Sequence, residues 1–125
     1  DQSVLYRLLM IAGFVIKGDA PKTVLIRGVG PSLAQFGLSG VLSSPQLSLF
    51  RSSDSVLLQQ NQGWLTSPNS AQIGLVSAQV GAFALPPASN DCAILVTLDP
   101  GSYTAQVSGV GGTTGVALVE IYEVP

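Results

Sequence analysis

The chain contains no histidine, one cysteine and few charges: five Lys and Arg and seven Asp and Glu, which are 10% of its 125 residues. Without histidine it lacks the commonest general base and the commonest zinc ligand, so most hydrolytic and metal chemistry is excluded. Cys92 has no partner within the chain, which excludes a disulfide framework. A net charge of −2 without a basic cluster leaves nothing to neutralise phosphates, so we expect no nucleic-acid partner. The longest apolar run, Leu8 to Ile16, is too short for a membrane span.

Short runs rich in Val, Leu, Ile and Thr, separated by Gly and Pro, fill most of the chain. This pattern predicts an all-β fold, an antiparallel two-sheet sandwich of about eight strands, formed by one domain over residues 1–125. Helical spacing of apolar residues predicts one short helix within Ser67 to Val80. The predicted strands are Val4–Ile16, Thr23–Val29, Gln46–Arg51, Val56–Gln60, Gln79–Leu85, Cys92–Leu98, Ser102–Ser108 and Gly115–Glu123.

The C-terminal third contains the clearest turn. Asp99-Pro100-Gly101 is typical of a tight turn, because proline fixes φ and glycine accepts a positive φ. It predicts a hairpin between Cys92–Leu98 and Ser102–Ser108, and Gly115–Glu123 is expected to complete three consecutive antiparallel strands.

The N-terminal segment is apolar at both strand parities, so both of its faces need cover. Either the chain's own loops cover it as a central strand, or residues 1–16 connect subunits by adding a strand to the next copy. The second interpretation makes this segment a candidate self-assembly site. Its members are Leu5, Tyr6, Leu8, Leu9, Met10, Ile11, Phe14, Val15 and Ile16.

Candidate catalytic groups do not form a recognisable set. The glycine-rich segment Arg27 to Leu33 lacks the Gly-Lys-Ser/Thr ending of a phosphate loop, so we interpret it as a turn in which Arg27 pairs with a carboxylate or carbonyl. No two carboxylates are placed as a glycosidase pair, and no Asp-x-Asp-x-Asp cluster indicates calcium. We therefore expect no enzyme activity, no cofactor and no metal site.

Trp64 follows Asn61-Gln62-Gly63 in a predicted loop. An exposed Trp64 would be a candidate sugar-contacting residue, although an aromatic anchor of the core is the simpler interpretation.

Four blocks of the sequence resemble a known type of domain: Ile11–Ile16, LIRGVGPSLAQFGLSGVL (Leu25 to Leu42), VGAFALP (Val80 to Pro86) and LDPGSYTAQVSGVGGTTGVALVEIYE (Leu98 to Glu123). They resemble a β-sandwich domain recurrent in large secreted proteins of Verrucomicrobia-like bacteria. The C-terminal part is also similar to the bacterial pre-peptidase C-terminal domain, a jelly-roll-like module. The resemblance implies a secreted, non-catalytic accessory domain and gives no catalytic residues.

Two functions remain open at this point. The low charge and the two-sided N-terminal segment favour a secreted structural protein that forms an extracellular homopolymer or surface assembly by strand addition or strand exchange. The alternative is a non-catalytic cell-surface or polysaccharide-binding module that uses the loop around Trp64. Few lysines and many Ser, Thr and Gln are typical of extracellular proteins, so we expect secretion in either case.

Overall fold

The computed structural model describes residues 10–125 in full and the backbone of residues 2–6. Within these residues there are eight strands and one α-helix. The strands are β1 (Gln2–Tyr6), β2 (Met10–Ile16), β3 (Lys22–Val29), β4 (Pro45–Arg51), β5 (Val56–Asn61), β6 (Cys92–Leu98), β7 (Gly101–Gly109) and β8 (Ala117–Glu123). The helix α1 spans Ser70–Gln79, and short 3-10 helices span Pro31–Phe36, Trp64–Thr66 and Val110–Gly112.

The strands form two antiparallel sheets of four. The first sheet has the order β1-β8-β3-β6, and the second sheet has the order β2-β7-β4-β5. A β-sandwich with one short helix was predicted, and the structure confirms it. The helix begins at Ser70, within the predicted range, and Gly81, at φ 78°, follows its end with a backbone N–H that donates to Ala78.

The predicted C-terminal hairpin is wrong. β6 pairs with β3 in the first sheet, and β7 pairs with β2 and β4 in the second, so Asp99-Pro100-Gly101 carries the chain across the sandwich. Three consecutive antiparallel strands are also wrong, because β8 returns to the first sheet. Among the described strands, only β4 and β5 are sequence neighbours that also pair. All other successive strands lie in different sheets.

Two further strand predictions are corrected. The single strand over Val4–Ile16 is two strands in different sheets, since β1 pairs with β8 and β2 with β7. The segment Gln79–Leu85 is the end of α1 followed by irregular chain. The apolar residues of this segment pack against the first sheet, and none of them belongs to a strand.

The first sheet lies between two apolar layers. Its inner face packs against the second sheet in a core that includes Met10, Leu47, Ile94 and Val119. Its outer face packs against α1 and the 80–86 segment in a second core. The second sheet has only its inner face in a described core, so its outer face is left open.

Candidate functional site on the second sheet

The buried charged residues Arg27, Asp91 and Glu120 lie in or directly before strands of the first sheet, and internal contacts hold them there. Asp91 is fully buried at the start of β6. Its Oδ1 accepts hydrogen bonds from the backbone N–H groups of Gly30 at 2.9 Å and Ser32 at 3.3 Å. Its Oδ2 accepts from the hydroxyls of Ser32 and Ser89. This carboxylate fixes the glycine-rich segment, and a Cβ at Gly30 would collide with the carbonyl of Leu42, so the segment is built for packing.

A second cluster of buried polar side chains is centred on Arg27. Its Nε lies 2.9 Å from Oε1 of Glu120, and its Nη1 donates to the carbonyl of Phe83 at 2.6 Å. The guanidinium also lies 4.4 Å from the centre of the Phe83 ring, and the Tyr122 hydroxyl donates to Glu120 at 2.7 Å. Arg27 was predicted to pair with a carboxylate or a carbonyl and pairs with one of each, but it does so from within β3 and not from a turn. Burial lowers the pKa of Arg27, against the opposing effect of Glu120, and burial raises the pKa of Tyr122 to about 12.

Trp64 does not present a face to a ligand. The ring lies in the second core with 9% of the residue exposed, and its Nε1 donates to the carbonyl of Pro86 at 2.9 Å. The structure therefore contradicts an exposed position for this ring and makes it the anchor of the 86–91 loop. The sequence alone could not distinguish an exposed Trp64 from a buried one, because a tryptophan after a turn occurs in either environment.

Cys92 is an inert core thiol. It is fully buried in the core between the sheets, and burial raises the pKa of its thiol to about 11. Among the described residues, no three His, Cys, Asp or Glu side chains lie together as a metal site would need. No described helix has the length and apolarity to cross a membrane.

The structure divides the candidate self-assembly residues into three groups. Met10, Phe14 and Ile16 point into the core between the sheets. Ile11 and Val15 are 53% and 58% exposed. The side chains of the remaining candidates lie outside the described residues: Leu5, Tyr6, Leu8 and Leu9.

The outer face of the second sheet, which we call the open face, has no charged residue in its two central rows, and Arg51 lies beside Phe50, Thr104 and Gln106 at one end of it. Cross-strand partners share a face, so the register defines two rows that run across all four strands. One row is Ile11, Gln106, Ser48 and Gln60, and the other is Gly13, Thr104, Phe50 and Leu57. The two middle strands contribute an amide, two hydroxyls and the ring of Phe50 to the open face, and the two edge strands contribute Ile11, Gly13, Gln60 and Leu57.

A cleft of about 370 Å³ opens at one end of the sandwich, between β2 and the first sheet. Its apolar lining includes Phe14, Val24 and Ile121. Lys22 and Glu123 at this cleft form an exposed ion pair at 3.2 Å. The cleft does not bring two carboxylates together, so it offers no acid and base pair for hydrolysis.

No protein-family model and no curated protein matches the chain. A solved structure, the pre-peptidase C-terminal domain of a collagenase from Bacillus anthracis, is similar in fold with a TM-score of 0.58 and 12% sequence identity. The match covers 97% of this chain and 88% of that one. It supports the predicted resemblance to pre-peptidase C-terminal domains at the level of fold. None of the comparisons supports the resemblance to the Verrucomicrobial domain.

Proposed function

We propose that the chain is a non-catalytic module of a secreted protein and that it binds an uncharged polysaccharide at a cell surface through the open face. The observation that carries this proposal is the composition of that face. Its two cross-strand rows combine amides and hydroxyls with the half-buried ring of Phe50 and contain no charge. Neutral sugars offer hydroxyl groups to such donors and acceptors and an apolar ring face to such a ring.

Two further observations support a role without catalysis. The buried ionisable side chains of Arg27, Asp91 and Glu120 are tied to their neighbours by internal hydrogen bonds or ion contact. The fold also resembles that of a domain from a collagenase, and we infer that this chain likewise accompanies other parts of a secreted protein.

Retention on an insoluble polysaccharide tests the proposal. We expect the chain to sediment with cellulose or chitin at neutral pH, and we expect Gln106→Ala combined with Thr104→Ala to reduce the bound fraction at least tenfold. The reason is the loss of an amide and a hydroxyl from the middle of the open face, each worth about 1 kcal/mol as a hydrogen bond.

The matched control is Gln72→Ala combined with Gln79→Ala, which removes two exposed amides from α1 on the opposite layer. This variant should be retained like the parent chain. The proposal would be contradicted if the parent chain bound neither cellulose nor chitin, or if the open-face variant were retained as well as the parent chain.

A second candidate function is a structural subunit that assembles with its own copies through residues 1–16. One observation favours it: β1 joins the first sheet through β8 at the sheet edge, and residues 7–9 separate it from β2. The corresponding segment of another copy would find the same partner strand. The self-association measurements described below test this candidate.

A further inference from the structure

We propose that copies of this chain associate head to tail, with β2 of one copy pairing with β5 of the next so that the second sheet continues from copy to copy. This inference rests on the second candidate function, self-assembly, and names the two edges that meet. It differs from strand addition by residues 1–6, because both strands stay in their own sandwiches.

Neither edge strand of the second sheet is protected by a charge or a proline, and β5 has one irregularity, a register shift opposite Leu49 and Phe50 of β4. β2 has seven residues and β5 has six, and neither contains a charged residue or a proline. Edge strands of monomeric proteins are commonly blunted by Lys, proline or covering elements. Four of the large exposed apolar side chains stand on these two strands: Ile11, Val15, Val56 and Leu57.

The far edge of the first sheet is capped. Asn61 Oδ1 accepts from the backbone N–H of Ala93 at 3.1 Å, and Asn69 Nδ2 donates to the carbonyl of Leu95 at 3.3 Å. The backbone N–H of Trp64 donates to the carbonyl of Asp91. The chain therefore blocks pairing at β6, while the neighbouring edge at β5 has an uncharged sequence with Val56 and Leu57 exposed.

The register shows which backbone groups of β2 point outward. The backbone N–H of Ser52 donates to the carbonyl of Ser102, so Ser102 directs its backbone groups toward β4. Backbone direction alternates along a strand, so Tyr103 faces β2 and its partner Phe14 faces β7. The intervening residues of β2, Gly13 and Val15, then direct their backbone N–H and C=O groups away from the sheet.

The same alternation applies to the part of β5 that pairs with Phe50, beyond the register shift between Leu49 and Phe50. Phe50 pairs with Thr104, and both direct their backbone groups toward each other, so Leu57, the β5 partner of Phe50, directs its own groups outward. Leu57 and Val15 therefore both carry outward backbone groups, and their exposed side chains stand on the open face.

The topology makes these two edges complementary. In a sheet of four antiparallel strands the first and last strands run in opposite directions. A second copy in the same orientation therefore places its β2 antiparallel to β5 of the first, with no reversal. Such a contact is heterologous, and each added copy leaves one β2 edge and one β5 edge free for the next.

Val15→Pro and Leu57→Pro test the pairing, because each removes one outward N–H without removing a hydrogen bond of the sandwich. In sedimentation velocity, the parent chain is expected to form a concentration-dependent series of oligomers. Each variant alone should remain a monomer, since every junction needs both edges. An equimolar mixture should form dimers and nothing larger, because one intact β2 and one intact β5 remain.

Val15→Lys and Leu57→Lys repeat the test with substitutions that suit an exposed strand position, in case proline disturbs the fold. Leu75→Lys is the matched control: Leu75 is 74% exposed on α1 and belongs to neither edge strand, and this variant should associate like the parent. Unchanged thermal unfolding establishes that each variant is folded.

The outcomes separate this pairing from self-assembly in general. A parent chain that stays monomeric at millimolar concentration overturns both. Oligomers that persist in both single variants overturn the β2 to β5 pairing and leave assembly through residues 1–16 in place. Dimers in one variant alone indicate that like edges pair, which overturns the head-to-tail arrangement.

Discussion

Replacing Asp91 with alanine is expected to lower the free energy of unfolding by about 3–5 kcal/mol, a large part of the stability of a domain of this size. The carboxylate accepts hydrogen bonds from two backbone N–H groups and two hydroxyls in a site without solvent access. Alanine would leave those donors unsatisfied and release the turn at Gly30 from β6. Asp91→Asn should lose less, because the amide keeps one acceptor oxygen.

Urea unfolding followed by fluorescence of Trp64 measures this loss, because the indole lies in the second core beside the affected turn. The matched control is Asp99→Ala: Asp99 is exposed, and the carbonyl that accepts from Tyr103 belongs to its backbone. This control should change the unfolding free energy by less than about 1 kcal/mol. A loss below that value for Asp91→Ala would contradict a structural role for the carboxylate.

Glu120→Ala should cost a similar amount, about 3–5 kcal/mol, because it leaves the buried guanidinium of Arg27 without a counter-charge. The hydroxyl of Tyr122 would also lose its acceptor. Burial disfavours the charged form of Arg27 and lowers its pKa, and Glu120 opposes that effect. Removing the carboxylate therefore removes the main compensation.

A double replacement tests this explanation more sharply. Arg27→Met combined with Glu120→Leu removes both charges and should recover most of the stability lost by Glu120→Ala. The exposed pair of Lys22 and Glu123 is the control, since breaking it with Glu123→Gln should cost less than about 1 kcal/mol. If the double variant is as unstable as Glu120→Ala, the unpaired charge of Arg27 is not the cause of the lost stability.

The strands could be predicted from the sequence wherever one face is apolar and the other polar, as in β7, whose Tyr103, Ala105 and Val107 are buried. The order of strands in the sheets could not. The turn Asp99-Pro100-Gly101 can either close a hairpin or carry the chain to the other sheet. Which of the two occurs depends on the strands with which β6 and β7 pair, and the turn residues do not determine that. The sandwich was therefore predictable and its pairing was not.

The N-terminal segment shows another limit of periodicity. Its two apolar parities suggested one strand covered on both faces, yet the chain crosses from the first sheet to the second between Tyr6 and Met10. In β2, Ile11 and Val15 remain exposed although they are as apolar as their buried neighbours. The sequence does not mark such residues as exposed, because a strand buried on both faces would also have apolar residues at these positions.

The buried charges carried a partial signal. Arg27 lies in the apolar run of β3, and Glu120 lies in that of β8, and isolated charges in apolar strands are usually paired. The pairing of Arg27 was predictable for this reason, but its partner was not, because it depends on β3 lying beside β8. The structural role of Asp91 was missed, since its donors on Gly30 and Ser32 lie about sixty residues away in the sequence.

Amide hydrogen exchange of the chain, compared between dilute solution and the cellulose-bound state, tests most directly the claim that the second sheet carries the functional contacts. We expect added protection in residues 10–16, 45–51, 56–61 and 101–109, with unchanged exchange in α1 and β6. Added protection confined to residues 64–98, with none in the second sheet, would contradict it.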